Sequence, residues 1–101
     1  TVTIYVNGVS QSLTGTTTLT NSTQTAGIVV GVDRNSYWGG RITNLRATTT
    51  AVYTGNFTPP TAPLVPISGT ILLLLANSAN TLVTDSSSSP FTITNNNTAT
   101  Y

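Results

Sequence analysis

Hydrophobic and polar residues alternate from the first positions onward. In Thr1-Val2-Thr3-Ile4-Tyr5-Val6, Val2, Ile4 and Val6 share one face and Thr1, Thr3 and Tyr5 the other. That period of two predicts a half-buried strand with the aliphatic face turned inward. Asn7-Gly8 follows, and both residues tolerate the positive φ that a two-residue hairpin turn demands. The turn would set Val6 opposite Val9, Ile4 opposite Gln11 and Val2 opposite Leu13, so only Gln11 breaks the apolar pairing. Residues 14–25 are rich in Thr, with Leu19 the one large apolar residue inside the stretch. Thr is β-branched and prefers extended backbone, so this part predicts a polar edge strand or a long loop.

Ile28 to Val32 is a short continuous apolar run, the pattern of a strand buried on both faces. Asp33 to Gly40 predicts a loop ended by Gly39-Gly40. Arg41 to Ala47 predicts a strand, although Ile42 and Leu45 stand three apart. A β-bulge would return both to the core; the rival, a short helix, is disfavoured by the Thr48-Thr49-Thr50 run after it. Ala51-Val52-Tyr53 and Phe57 form a second small apolar cluster. Pro59, Pro60, Pro63 and Pro66 each remove a ladder donor, so residues 58–70 predict an extended connector. Ile71-Leu72-Leu73-Leu74-Leu75-Ala76 predicts a strand that wants cover on both faces. Thr81 to Thr84 and Phe91 to Thr94 predict short strands, with a loop over Asp85 to Pro90 and a turn cluster at Asn95-Asn96-Asn97. No stretch carries a sustained helical period, so the class is all-β.

Composition narrows the function classes. The 101 residues suit one small domain of about the size of a β-sandwich. Only Asp33, Arg34, Arg41, Arg46 and Asp85 are charged, for a net charge of +1. Nucleic-acid binding needs several phosphate contacts from a basic patch, which this chain lacks. No apolar run approaches the roughly 20 residues of a membrane-spanning helix. Thr, Ser and Asn together make 43 of the 101 residues, so the surface is neutral and offers little charge repulsion against self-association. Cys is absent, so no disulfide staples the fold. The chain opens on Thr1 directly in an alternating pattern, with no leader-like segment, and we read it as a processed product or a piece of a longer polypeptide.

Several stretches resemble laminin-G-type, concanavalin A-like jelly-roll domains. Thr3-Ile4-Tyr5-Val6-Asn7-Gly8-Val9 is similar to the family's hairpin, and Tyr37-Trp38-Gly39-Gly40-Arg41-Ile42-Thr43-Asn44-Leu45-Arg46 resembles a late strand. Tyr53 through Leu64 resembles the segment that closes such domains in bacteriophage virion proteins and bacterial surface proteins. Gly69-Thr70-Ile71-Leu72-Leu73-Leu74 and Asp85-Ser86-Ser87 resemble the opening of the next domain. The resemblance implies an antiparallel β-sandwich, either permuted or completed by a neighbouring subunit. It divides the chain into a closing half (1–57), a Pro-rich connector (58–70) and opening strands (71–101). It also implies an extracellular, cell-surface or virion location.

The expected function is a non-enzymatic structural or adhesive module that self-associates into a virion appendage or filament. Ile71, Leu72, Leu73, Leu74 and Leu75 are the expected assembly residues, because repeated strand contacts between copies generate filaments. Catalysis is not expected. The chain has no His, Cys, Lys or Glu, and its sole carboxylates, Asp33 and Asp85, read as surface turn residues beside a Ser loop with no base to activate it. No cofactor is expected beyond a weakly held calcium ion at Asp33 and Asn35, with Ser36 adding a hard oxygen. The alternative function is glycan binding by Tyr37 and Trp38 with Asn35 and Arg41 as polar partners. A lone Trp in a small domain first supplies buried area, so Trp38 is expected on the core; its exposure would favour the glycan reading. Asn21, Asn56 and Asn96 open Asn-x-Ser/Thr sequons at the frequency that composition alone produces.

Overall fold

The computed structural model describes residues 2–15, 30–33, 36–95 and 99–100; for Val32 and Asp33 it describes the backbone only. Residues 16–25 of the expected Thr-rich element, Ile28 and Val29, and the sequons at Asn21 and Asn96 lie outside the described residues; Val30, from the run expected to be buried on both faces, is 39% exposed. The regular elements are β1 (Tyr5–Val6), β2 (Val9–Ser10), β3 (Val32–Asp33), β4 (Ser36–Tyr37), β5 (Leu45–Thr48), β6 (Thr70–Leu74) and one 3-10 turn, Ala79–Thr81. They pair as three two-stranded ladders, β1–β2, β3–β4 and β5–β6, all antiparallel. Among the described residues there is no α-helix, and the chain is all-β.

The first hairpin has the register read from Asn7-Gly8. Tyr5 faces Ser10 and Val6 faces Val9, with φ of 50° at Asn7 and 80° at Gly8. The ladder extends one step further, where the Gln11 amide donates to the Ile4 carbonyl at 2.8 Å. Its buried face is not the expected one. Ile4, Val6 and Val9 are about half exposed, at 48%, 54% and 53%. Tyr5, on the opposite face, packs edge-on against Phe57 at 5.5 Å, and Phe57 stacks on Tyr53 at 3.5 Å. Side chains alternate along a strand, so one face must be chosen. The Tyr5 ring buries more area than a single Val and gains ring–ring attraction from Phe57, which itself stacks on Tyr53. Two backbone-directed bonds hold that choice: Phe57 N–H to the Gly8 carbonyl at 2.9 Å, and Ser10 N–H to Asn56 Oδ1 at 2.9 Å. Gly8 is obligatory here, since a Cβ would collide with the Phe57 carbonyl.

The centre of the fold is β6. Leu45 faces Leu74, Arg46 faces Leu73 and Ala47 faces Leu72, with a bulge between Ala47 and Thr48. Among the described residues Leu72 and Leu73 are the buried hydrophobic ones, and Leu73 is wholly enclosed. As neighbours in a strand they point to opposite faces, so cover on both faces is realised at these two positions. Ile71 stays 39% exposed, and Leu74 and Leu75 are half-buried. The outer edge of β6 is occupied by residues 85 and 86: Ser86 N–H donates to the Leu73 carbonyl at 2.8 Å, and Asp85 bridges to Leu74. The leucine strand therefore pairs with β5 of the same chain on one side and the Asp85 segment on the other.

Four expectations are corrected. Asp33 to Gly40 is not all loop, because Val32–Asp33 and Ser36–Tyr37 form a tight hairpin. The strand expected over Arg41 to Ala47 begins only at Leu45, since Asn44 takes a φ of 54°; Ile42 remains 39% exposed, and the bulge falls later than expected. Thr81 to Thr84 is not a strand. The Thr81 hydroxyl accepts the Asn77 and Ser78 amides at 3.1 and 3.0 Å and winds the chain into a 3-10 turn, the local competition that hydroxyl side chains offer to ladders. Phe91 to Thr94 contributes a lone bridge, Thr84 to Thr92.

The connector has no strand between Thr58 and Ser68, in keeping with its prolines. Side chains tie it to β5 instead: Leu64 N–H donates to Asn44 Oδ1 at 3.1 Å and the Arg46 guanidinium to the Val65 carbonyl at 3.0 Å. Leu73→Ala is expected to lower stability by about 2–5 kcal/mol, the usual cost of truncating a buried Leu. Ile71→Ala should cost less than half of that, because much of its side chain already meets water. Urea unfolding followed by circular dichroism checks both.

Candidate functional site

Two places gather chemistry. The first is the carboxylate of Asp85, expected on the surface and found buried, at 6% exposure. The segment after it curls back around the carboxylate. Oδ1 accepts the Leu73 and Ser87 amides, both at 2.9 Å. Oδ2 accepts the Ser87 hydroxyl at 3.0 Å and the Phe91 amide at 2.9 Å. An ionised carboxylate has about four lone-pair sites, and these four donors occupy them. Burial pushes the Asp85 carboxyl upward. The amides of Phe91, Leu73 and Ser87 and the Ser87 hydroxyl push it down and prevail, so it sits below its ordinary value of 3.8. With its acceptor sites engaged from inside the chain, Asp85 is built to organise backbone.

The second place is the aromatic pair at the end of β4. Tyr37 and Trp38 are each 65% exposed, so Trp38 is not on the core as expected. The Trp38 amide donates to the Gly31 carbonyl at 2.8 Å, which continues the β3–β4 ladder by one bond. The indole lies over Gly40, where an added Cβ would stand 2.7 Å from Nε1. Gly40 thus leaves room for the ring to lie along the chain with its other face to solvent. Arg41 follows and is exposed. Asn35, expected both as a glycan partner and as a calcium ligand, lies outside the described residues, as does the side chain of Asp33. Among the described residues no three His, Cys, Asp or Glu side chains gather, and no helix is long and apolar enough to cross a membrane.

Of the expected assembly residues, Leu72 and Leu73 lie inside the chain's own core, and only Ile71 presents substantial surface. Two features escaped sequence reading. One is the exposed aliphatic face Ile4-Val6-Val9. The other is an open groove of about 410 Å³ beside β5, lined by Asn44, Leu45, Arg46, Val52, Tyr53, Phe57, Pro60 and Leu64. The alternation of residues 1–6 carried the apolar face but not its direction. The groove depends on how the connector returns past β5, which no local pattern encodes. No family model, curated protein or solved structure matches this chain.

The depressed Asp85 value makes stability depend on pH in one direction. Its contribution is complete above the unfolded-state value near 3.8 and is lost as pH falls through the lower folded-state value. The urea midpoint should therefore drop on acidification below about pH 4, the ordinary Asp range. Asp85→Asn should flatten that acid limb, and Asp85→Ala should cost at least about 1–3 kcal/mol at neutral pH, the penalty for a buried donor such as the Leu73 amide left without its acceptor. Trp38 fluorescence should show a solvated indole, readily quenched by acrylamide; a shielded emission would contradict its placement.

Proposed function

We propose that this chain is a non-enzymatic structural or adhesive β module that self-associates, as a subunit of a virion appendage or extracellular filament. One observation carries the reading: among the described residues many large apolar side chains outside β6 are uncovered. Among the described residues Leu72 and Leu73 are the buried hydrophobic ones, while Ile4, Val6, Val9, Val65, Trp38 and Phe91 are each about half exposed or more. Ile4, Val6 and Val9 lie on one face of the first hairpin and make a continuous aliphatic surface. Burying one such side chain contributes roughly 1.5–3 kcal/mol, so covering this face with a second copy is a substantial driving force. The net charge of +1 opposes it little. A laminin-G-like jelly-roll sandwich is the arrangement we propose for the covered state, with facing sheets drawn from more than one copy.

The exposure of Tyr37 and Trp38 supports a second reading, a carbohydrate-binding surface with Arg41 as polar partner. Flat aromatic faces beside hydrogen-bonding groups suit a sugar ring.

Light scattering with electron microscopy of native material in dilution tests the first reading. Oligomers or filaments that persist on dilution are the expected outcome. The double variant Ile4→Ser/Val6→Ser should fold and disperse them, because both side chains already face solvent. A native monomer at the chain mass would reject self-association, and a Trp38 emission that responds to added oligosaccharide would then favour the second reading.

A further inference from the structure

The outer edge of β6 is closed in an unusual way. In a continuous sheet the Leu73 amide would donate to a carbonyl of the next strand. Here it donates to Asp85 Oδ1, while the Leu73 carbonyl accepts Ser86 N–H. A carboxylate thus stands where a strand would be, and the same carboxylate holds the rest of its loop through Ser87 and Phe91. We propose that Asp85 is an acid-operated latch: ionised, it keeps loop 85–91 closed on β6; protonated, it releases that edge to a second copy of the chain.

The geometry explains the trigger. Both oxygens already receive two donors, so a proton can enter only by displacing one. The Ser87 hydroxyl is the donor able to turn aside, which leaves three backbone amides donating to a neutral acid and without the charge assistance that strengthened them. Among the described residues, no other charged group perturbs the carboxylate. Strand β6 and residues 86–91 contain none. On β5, Arg46 pairs with Leu73, but its guanidinium is engaged by the Val65 carbonyl. The chain has no His or Glu, and its one other side-chain carboxylate is Asp33. An acid transition therefore has two side chains to which it can be assigned.

The freed edge would expose a leucine strand with no charged residue from Ile71 to Leu75. Natural edge strands avoid that arrangement because it pairs with its own kind. Two such edges are self-complementary about a two-fold axis, and the chain carries little charge to hold them apart. The latch is a property of a single chain, so it is independent of whether native material assembles at neutral pH.

The test is residue-resolved amide hydrogen exchange on the full chain from neutral pH to about pH 2, with particle mass measured on the same samples. Protection at Leu73, Ser87 and Phe91 should fall together, by about tenfold per pH unit below the folded-state value, while Thr49, bonded to the Gly69 carbonyl at the far end of the ladder, keeps more of its protection. Particle mass should rise over the same interval. Asp33→Asn should leave this transition in place, and Asp85→Asn should show the open loop and the larger particles already at neutral pH. If Asp85→Asn does not fold, the wild-type titration with the Asp33→Asn control still decides. Retained protection at the three amides down to about pH 2, or a transition that disappears with Asp33→Asn, overturns the latch. Opening without a rise in mass overturns the second copy as the occupant. A native monomer at neutral pH whose three amides still lose protection in acid would reject the assembly reading and leave the latch standing.

Discussion

The fold depends on how the backbone of Leu73 is satisfied. Among the described residues its side chain is the one wholly enclosed large group, and it sits where water cannot reach its amide or carbonyl. A buried backbone group left without a partner costs about as much as a lost hydrogen bond. Asp85 and Ser86 supply both partners, and by doing so they draw residues 85–91 against the strand. The charge that makes these bonds strong is itself buried, so it is tolerable only because four donors meet it. Enclosure of Leu73 and ionisation of Asp85 therefore support each other.

From that centre the rest follows at decreasing density. Strand β5 lies against the other edge of β6, and Asn44 and Arg46 reach from it to hold the Pro-rich connector. The connector leads back to Phe57, whose ring and amide anchor the first hairpin. The hairpin at the periphery turns its aliphatic face to solvent, and the aromatic pair at the end of β4 does the same. A chain with so few charges has little to keep such surfaces apart, which is why we read them as contact surfaces.

Much of this architecture was legible in the amino-acid order. Asn7-Gly8 specified a turn and its register because few residue pairs accept two successive positive φ angles. The prolines specified where no ladder could form, and the Ile71 to Leu75 run specified the most buried strand. These are local constraints, set by covalent geometry or by an apolar density that only burial relieves. The all-β class follows from them. Readings that rested on weaker local preference failed: no strand forms over residues 81–84, because the Thr81 hydroxyl captures nearby amides and closes the 3-10 turn Ala79–Thr81.

What only the tertiary structure decided is direction and partnership. The alternation of residues 1–6 defines two faces, but which one turns inward depends on Phe57 and Tyr53, some fifty residues away. Asp85 before four serines looks like an ordinary surface turn. It becomes a buried centre because β6 brings an unpartnered amide to it across 12 positions of sequence. Trp38 looks like core by its size and stands in solvent because the β3–β4 hairpin and Gly40 hold it there. Periodicity and turn chemistry act between neighbours and can be read in order along the chain. Burial and hydrogen-bond satisfaction act between residues that meet only when the chain has folded.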